Sequence, residues 1–339
     1  MKRLFIISNE SVFNYEGDFF CDNIDMKSTP EGLNKNFEVN ILSRRSNKKR
    51  SHQINLRNVS IFSNIFTFLL GVFKTLNKKE SKYLIISISP FTFLACIFLK
   101  LFKKTIIVYL RSDGYSEYKS ILGFTGPYIY HFMFFFVSKI SSLISCREHI
   151  LRGNKGKVVS PSQISKVWMS EFKEANLSTV KLLYIGRIKK EKGIYSLLDI
   201  IKENNTFNLS IVGEEKLQKH KIKQNNVSIY EIETNEQKLI KLYDDHNIFV
   251  LPSFTEGHPM ALLEALSRFR PIIIFSEIKH VVGEKKGIFI SSRNSQSFSE
   301  KVNYIINNYK KIQEEMKLNQ LPTKKKYLEE FENLISNTS

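Results

Sequence analysis

The feature that most constrains this chain is a repeated alternation of short apolar runs with longer, partly apolar segments. In the first half the predicted strands are 4–8, 37–42, 83–88, 105–110 and 143–145, and the predicted helices are 65–76, 91–101 and 127–140. Runs of four to eight apolar residues suit buried strands, and the longer segments suit helices. Strands that alternate with helices predict a parallel sheet with crossover helices on its faces. We therefore expect an α/β fold.

The same alternation starts again after a polar stretch, residues 165–180, which has no clear period. The predicted strands of the second half are 181–185, 209–212, 248–251 and 272–275, and its predicted helices are 193–202, 236–243, 259–267 and 297–308. We predict two doubly wound domains, residues 1–165 and 166–315, and a charged helical tail at 316–339. Since open α/β sheets bind ligands beyond the carboxyl ends of their strands, we expect the site in a cleft between the two domains.

Basic residues are concentrated in the first half. Residues 1–170 hold 25 Lys and Arg against 11 Asp and Glu, whereas residues 171–339 hold 26 against 22. A basic surface attracts nucleic acids, anionic membranes or phosphorylated substrates. The sequence has no motif of a nucleic-acid-binding module. Many phenylalanines precede lysine clusters, as Phe102 precedes Lys103 and Lys104. This pattern suits an anionic membrane surface, but it also suits core helices with solvated lysines.

The three cysteines indicate a reducing compartment. They are odd in number and widely spaced, which argues against a disulfide framework or a zinc site, and the seven histidines show no metal-binding spacing. No signal peptide is visible, and the longest apolar run, Phe91–Phe102, is too short to span a membrane. We therefore expect a cytoplasmic protein without a metal site, with the inner face of the membrane as a second location.

Two predicted strands of the second half end in glycine. Gly186 follows the first strand and is joined at once by Arg187, with Lys192 five residues later. Glycine lets the backbone approach a ligand, and an Arg and a Lys near a helix start suit a diphosphate. Gly213 ends the next strand and leaves room for a flat base or ribose. The alternative is an ordinary solvated loop with surface cations.

A third segment places two carboxylates eight residues apart, at Glu256 and Glu264. Gly257 frees the backbone between them, and Pro259 suits the first turn of a helix. The N–H groups of residues 257–261 at the positive helix end suit a phosphate, and the carboxylates suit sugar and ribose hydroxyls. The alternative is a glutamate that only favours the helix dipole and a second, solvated one.

In this order, the three segments resemble the donor-binding half of the GT-B glycosyltransferases of the family 4 type. The shared pattern is a strand followed by Gly-Arg and Lys-Gly, a strand ending in Val-Gly, and two glutamates separated by seven residues; the resemblance covers about residues 180–300. It implies two Rossmann-like domains and a retaining enzyme that needs no metal ion or cofactor. Arg187 and Lys192 would hold the diphosphate, Glu256 the donor sugar and Glu264 the ribose. The other implied donor-binding positions are Gly186, Gly213, Gly257, His258, Pro259 and Met260.

The first half departs from that family. Such enzymes have a Gly-Gly loop after the first strand, but here residues 8–17 contain one glycine and form a longer polar loop, so phosphate contact from this loop is not implied. After the strand at 105–110, Asp113 is the candidate for a residue that faces the reacting sugars. Arg111 is the alternative candidate. The other interpretation is that Asp113-Gly114 is simply a turn with no role in the site. In its overall sequence character, this half is similar to enzymes of bacterial capsule, O-antigen and exopolysaccharide synthesis.

The resemblance implies a hexosyltransferase-type enzyme that moves a sugar from a UDP- or GDP-sugar to a saccharide acceptor in bacterial surface polysaccharide synthesis. The basic, Phe-rich first half suggests that this acceptor is lipid-linked. Three alternatives stay open. The first is a non-catalytic relative that binds a nucleotide sugar or scaffolds an assembly complex, and the second is a sugar-nucleotide epimerase. The third, a nucleic-acid-binding protein, rests on charge alone. As a general base His258 would be attractive, but the family position offers its backbone.

Overall fold

A computed structural model describes residues 2–78, 80–202, 206–214 and 224–338. Residues 1–163 together with 324–339 form one compact unit, and residues 164–323 form a second. We refer to them as the first unit and the second unit. Each is built around a largely parallel sheet, as the alternating pattern predicts.

The first unit contains the longer of the two sheets. Its strands are β1 (Lys2–Tyr15), β2 (Asp18–Cys21), β3 (Phe37–Arg45), β4 (His52–Ile54), β5 (Val59–Phe62), β6 (Ser81–Ile86), β7 (Ile106–Leu110), β8 (Ser142–Ser145) and β9 (Gly156–Val158). The parallel strands lie in the order β5-β3-β1-β6-β7-β8-β9. Its helices in this part of the chain are α1 (Ile24–Leu33), α2 (Ile65–Thr75), α3 (Pro90–Leu101), α4 (Gly114–Leu122) and α5 (Gly126–Ile140).

The predicted polar loop at residues 8–17 is wrong, because β1 continues to Tyr15. Its first part pairs with β3 and β6 inside the sheet, and its last three residues pair with β2 as an antiparallel hairpin. The hairpin turn lies at Glu16 and Gly17, which both have positive φ. Of residues 9–15 only Val12 is buried, so this part of the strand has no apolar run that could have predicted it from the sequence.

The second unit has a sheet of parallel strands in the order β12-β11-β10-β13-β14-β15. These strands are β10 (Val180–Ile185), β11 (Phe207–Glu214), β12 (Val227–Glu231), β13 (Ile248–Leu251), β14 (Ile272–Phe275) and β15 (Ile288–Ser291). The helices are α6 (Ile194–Lys202), α7 (Glu236–Asp244), α8 (Met260–Ser267), α9 (Ser295–Asn307) and α10 (Tyr309–Met316). The strand order is that of the doubly wound dinucleotide-binding fold, and it reverses at β10.

The polar stretch at 165–180 is part of the second unit, which begins at Ile164 rather than at 166. Two buried arginines hold it there. Arg268 donates to the carbonyls of Trp168, Ser170 and Glu171, and Arg270 donates to that of Lys173. Asp244 accepts two hydrogen bonds from Arg268, at 2.9 and 2.7 Å. Hydrogen bonds from the arginines to backbone carbonyls therefore fix this segment. A hydrophobicity pattern does not reveal such bonds.

The predicted tail at 316–339 is helical in the structure from Lys324 to Asn337. The helix α11 (Lys324–Asn337) belongs to the first unit, although it follows the second unit in the chain. Its buried residues Tyr327, Phe331 and Ile335 pack in the core that covers one face of the first sheet. Lys82 on β6 donates to carbonyls at the end of this helix. The first unit is thus assembled from both ends of the sequence.

The longest apolar helical stretch is Gly114–Ile140 and not the predicted Phe91–Phe102. It is long and apolar enough to cross a membrane, and only 28% of its most apolar window is buried inside the protein. The stretch is divided, since Gly123 has a positive φ between α4 and α5. Gly114 packs against Tyr130 and Gly126 against the backbone of Tyr118, so the two helices form a hairpin.

Candidate functional site

The carboxyl ends of β10, β11 and β13 meet at one edge of the second sheet, because the strands are parallel neighbours. Gly186 directly follows β10, Gly213 lies near the end of β11, and Pro252 follows β13. The strand order reverses at β10, and a doubly wound sheet binds ligands at this reversal. The structure therefore brings the three sequence segments singled out above to one place.

The glycines of this edge stand where no other residue fits. A Cβ atom on Gly213 would lie 2.1 Å from the carbonyl oxygen of Gly186, and one on Gly193 would lie 1.9 Å from that of Pro252. Both glycines also have positive φ, +140° and +67°. The three loops are therefore packed backbone to backbone at this edge.

Lys192 and Glu256 form an ion pair that joins two of these loops. The Lys192 ammonium lies 2.7 Å from a carboxylate oxygen of Glu256, and the two side chains are 24% and 10% exposed. The buried hydroxyl of Ser253 donates to the same oxygen at 2.6 Å, and His280 donates to the backbone carbonyl of Glu256. The carboxylate is thereby held as an acceptor in one orientation. The sequence predicted that both residues bind the ligand, but it did not predict that they pair with each other.

Arg187 is the exposed cation of the site. Within the described ranges its guanidinium makes no hydrogen bond or ion pair, and the side chain faces solvent. Its backbone is held, because the buried Tyr184 donates its hydroxyl to the Arg187 carbonyl at 2.9 Å. An arginine whose backbone is held in place and whose guanidinium group is available to donate hydrogen bonds is suited to an anionic ligand.

Glu264 lies on α8, more than one turn from its start. The hydroxyl of the buried Tyr243 donates to its carboxylate at 2.8 Å. Burial raises the pKa of Glu264 to about 7, and the charge of Glu236 adds to this, while the hydrogen bond from Tyr243 opposes it. Glu264 is therefore a partly buried acceptor whose charge changes near neutral pH.

The start of α8 lies between the two glutamates. Pro259 is the N-cap residue of this helix, one position before the predicted first turn, and it supplies no side-chain cap. Met260 is the first helical residue, and Gly257 and His258 form the bend before it. Because Pro259 provides no accepting side chain, the N–H groups of the first turn have no acceptor from the N-cap residue, which suits a bound anion.

Arg293 stabilises this edge, and sequence reasoning missed it. Its guanidinium donates to the Pro252 carbonyl at 3.0 Å and to Glu277 at 2.8 Å, and it stacks on the ring of Phe254 at 4.1 Å. It thus fixes the loop that carries Ser253 and Glu256. Arg293 follows β15 in a segment without a motif, so no signal in the sequence could have identified it.

Asp113, the remaining predicted site residue, lies in the first unit. It is the N-cap of α4: its carboxylate accepts from the Tyr115 amide at 3.2 Å and from the Ser116 hydroxyl at 2.8 Å. It also pairs with Arg152 at 3.1 Å. The segment is therefore a helix start rather than a plain turn. The alternative residue, Arg111, has one buried guanidinium nitrogen without a hydrogen-bond partner in the described structure.

In the part of the chain that the structure describes, no three His, Cys, Asp or Glu side chains are grouped so that they could hold a metal ion. The three cysteines are buried and free.

The amino-acid sequence of the second unit matches a known family of domains. Residues 169–320 match the family model described as Glycosyl transferases group 1. The matched stretch coincides with the second unit and contains Arg187, Lys192, Glu256 and Glu264. The second unit is therefore similar to the group 1 glycosyltransferase domain.

Known proteins agree with this match. TuaC of Bacillus subtilis (strain 168), a protein assigned to teichuronic acid biosynthesis as a glycosyltransferase, is 24% identical over 123 residues, which are 35% of this chain. The match spans 31% of that relative's length.

Solved structures cover nearly the whole chain. Sucrose-phosphate synthase from Thermosynechococcus elongatus has a TM-score of 0.72 at 13% identity, over 99% of this chain and 98% of its own. Alr3699/HepE of Anabaena, in complex with UDP and glucose, has a TM-score of 0.71 at 11% identity, over 99% and 100%. These likenesses confirm the predicted GT-B fold with two parallel-sheet α/β domains.

Proposed function

We propose that the protein is a hexosyltransferase-type glycosyltransferase, which moves a sugar from a nucleotide-sugar donor to a saccharide acceptor. The observation that carries this proposal is the group of Arg187, Lys192, Glu256 and Glu264 at the strand-order reversal of the second sheet. Its two cations suit a diphosphate, and its two carboxylates suit the hydroxyls of a sugar and a ribose. The donor therefore binds at this edge.

Each residue then has a defined task. Arg187 and Lys192 bind the diphosphate, the first turn of α8 adds backbone N–H groups, and Glu264 accepts hydrogen bonds from the ribose. Glu256, held by Lys192 and Ser253, accepts from a hydroxyl of the donor sugar. We propose Asp113 of the first unit as the residue that faces the reacting sugars.

For the reaction itself we propose transfer with retention. The bond between the sugar anomeric carbon and the phosphate oxygen breaks, and its electron pair stays on the leaving diphosphate. The acceptor hydroxyl oxygen forms the new bond on the same face, and its proton passes to the leaving phosphate oxygen. Negative charge grows on the diphosphate in the transition state, so fixed cations beside it lower the barrier, and no metal ion is required. A double displacement would need a carboxylate nucleophile, a role that we assign to no residue.

The proposed acceptor is a lipid-linked saccharide of bacterial surface polysaccharide synthesis. Two observations support this choice: the relative TuaC is assigned to teichuronic acid biosynthesis, and the first half carries the surplus of basic residues. A UDP-sugar is the first donor to test, because Alr3699/HepE was solved with UDP-glucose.

The second candidate function is a non-catalytic nucleotide-sugar-binding scaffold, which would bind the donor without turnover. An epimerase would release UDP without any acceptor.

A donor panel tests the proposal. We expect one family among UDP-, GDP-, ADP- and CMP-sugars to raise the melting temperature, because a ligand that binds only the folded state stabilises it. Glu264→Ala should lose this response, whereas Glu300→Ala, a change at an exposed glutamate on α9, should keep it. A wild-type protein that shows no shift with any nucleotide sugar at millimolar concentration would contradict the donor site. Donor binding without turnover would favour the scaffold.

The affinity for the donor should depend on pH through Glu264. Its pKa in the free protein is about 7, so it is mostly a carboxylate at pH 8 and mostly protonated at pH 6. Only the carboxylate accepts from both ribose hydroxyls, so donor affinity should fall about tenfold from pH 8 to pH 6. Isothermal titration calorimetry with a nucleotide sugar measures this; a free nucleoside diphosphate is unsuitable because its terminal phosphate titrates near pH 6. Glu264→Gln should bind weakly with no such slope, and an equal slope in this variant would refute the assignment.

A further inference from the structure

The first unit exposes an unusual number of large apolar side chains on neighbouring helices. The helices α2, α3, α5 and α4 pack in this order against one another. We call their solvent side the aromatic face, and its most exposed members are Phe66, Leu70, Phe73, Leu101, Ile121, Phe124, Tyr128 and Phe132. Soluble proteins expose such residues singly, so a set on adjoining helices indicates a binding surface.

The aromatic face is continuous across the helices. Phe73 of α2 contacts Phe98 of α3 and the neighbouring Phe102, with ring centroids 6.1 and 6.0 Å apart. Phe93 of α3 contacts Phe132 of α5 at 6.0 Å. An open apolar groove of about 560 Å³ lies between α3 and α5, where Phe93 and Phe132 form part of its lining. The exposed rings therefore form one surface rather than separate spots.

The turn of the α4–α5 hairpin projects apolar side chains. Phe124 lies in the turn and is 81% exposed, and Ile121 and Tyr128 on either side are also exposed. Close packing of Gly126 on the Tyr118 backbone makes this hairpin tight. A rigid turn that carries aromatic and aliphatic residues has the form of an element that enters the boundary region of a bilayer.

The charges around the aromatic face select its partner. Residues 65–141 hold ten Lys and Arg and three Asp and Glu, a surplus of seven positive charges. Lysines stand at the ends of these helices, among them Lys74, Lys100, Lys103 and Lys139. A second copy of this chain would bring like charges together, which opposes dimerisation through this surface. An anionic lipid headgroup layer above a hydrocarbon layer complements both the lysines and the rings.

We propose that the aromatic face docks the protein on an anionic membrane surface, with the α4–α5 turn inserted among the lipids and the lysines on the headgroups. This inference does not depend on the donor site, since it concerns other residues and needs no nucleotide sugar. It places the protein at a membrane surface. A lipid-linked acceptor would lie in the same plane.

Flotation with vesicles tests the proposal in the absence of donor and acceptor. We expect the protein to float with vesicles of 30% phosphatidylglycerol in phosphatidylcholine, and to float far less with pure phosphatidylcholine or at high salt. Phe124→Ser should lower the partition coefficient about tenfold, since it removes one inserted aromatic ring. Leu318→Ser is the matched control, because Leu318 is 76% exposed but lies in the second unit.

A second pair of variants tests the charges. Replacing Lys100, Lys103 and Lys104 together by Gln should weaken flotation more than tenfold. The same change at Lys310, Lys311 and Lys317 of the second unit should have little effect. Lys104 is half-buried and the other five side chains are exposed, so melting temperatures should change little. Equal losses in both lysine variants, no flotation of the wild type, or vesicle-free dimers that Phe124→Ser dissociates would each overturn the proposal, whatever the donor panel shows.

Discussion

The variant Lys192→Ala should lose about 10²- to 10³-fold in turnover while the protein stays folded. In the proposed reaction Lys192 lies beside the leaving diphosphate, and removal of one fixed charge or hydrogen-bond donor from such a site has an effect of this size. The loss should appear in kcat for transfer, measured from nucleoside diphosphate release at saturating acceptor. Because Lys192 also pairs with Glu256 at 2.7 Å, a moderate drop in melting temperature should accompany it.

Two further variants separate catalysis from structure. Lys189→Ala removes an exposed cation three residues earlier and should change turnover less than twofold. The double variant Lys192→Ala, Glu256→Gln removes both members of the ion pair, so it leaves no unpaired buried charge and should regain most of the lost stability. Turnover should not return with it. If turnover recovers along with the melting temperature, Lys192 acts only through the structure of the loop.

The largest loss of stability should follow Asp244→Ala. This change would leave Arg268 and Arg270 buried, at 1% exposure each, without the carboxylate that lies 2.7 Å from Arg268 and 3.7 Å from Arg270. Breaking a buried pair by removal of one partner costs about 3–5 kcal/mol. For a unit of about this size, that loss lowers the melting temperature by about 6 to 20 °C. Calorimetry should show the shift in the transition of the second unit.

The adjacent residue provides the control. Asp245 pairs with Lys173 at 2.6 Å, but both side chains are well exposed. Such a pair contributes about 0–1 kcal/mol, so Asp245→Ala should barely shift the transition. If the two aspartates give equal losses, the buried arginines do not depend on Asp244, and their carbonyl contacts alone hold residues 168–173.

Sequence periodicity predicted the central strands of both sheets well, because these strands are short, apolar and buried on both faces. It missed short or polar elements outside the central strands, namely β2, β4, β5, β9, α1, α4, β12 and β15. The backbone N–H and C=O groups of these elements are hydrogen-bonded at the edges of the sheets or by capping residues. The helix α4 shows why: it begins with an Asp cap but has a single buried residue, Gly114, so no apolar stripe marks it.

The candidate site was predictable in its residues but not in its contacts. Glycines after strands and glutamates at a helix start are local patterns, so they can be read along the chain. The ion pair of Lys192 with Glu256 joins residues 64 positions apart, and the bond from Tyr243 to Glu264 joins residues 21 apart. Tyr243 is indistinguishable in sequence from any other buried ring of an amphipathic helix. Such pairs depend on the tertiary packing of side chains.

The return of α11 to the first unit has a consequence for the order in which the protein is made. A chain emerging from the ribosome usually completes its N-terminal domain first. Here the second unit is continuous in sequence, whereas the first lacks Tyr327, Phe331 and Ile335 of its core until the helix that carries them has been synthesised. The second unit can therefore close while the first still exposes an apolar sheet face. During that interval the nascent first unit is the part most in need of a chaperone.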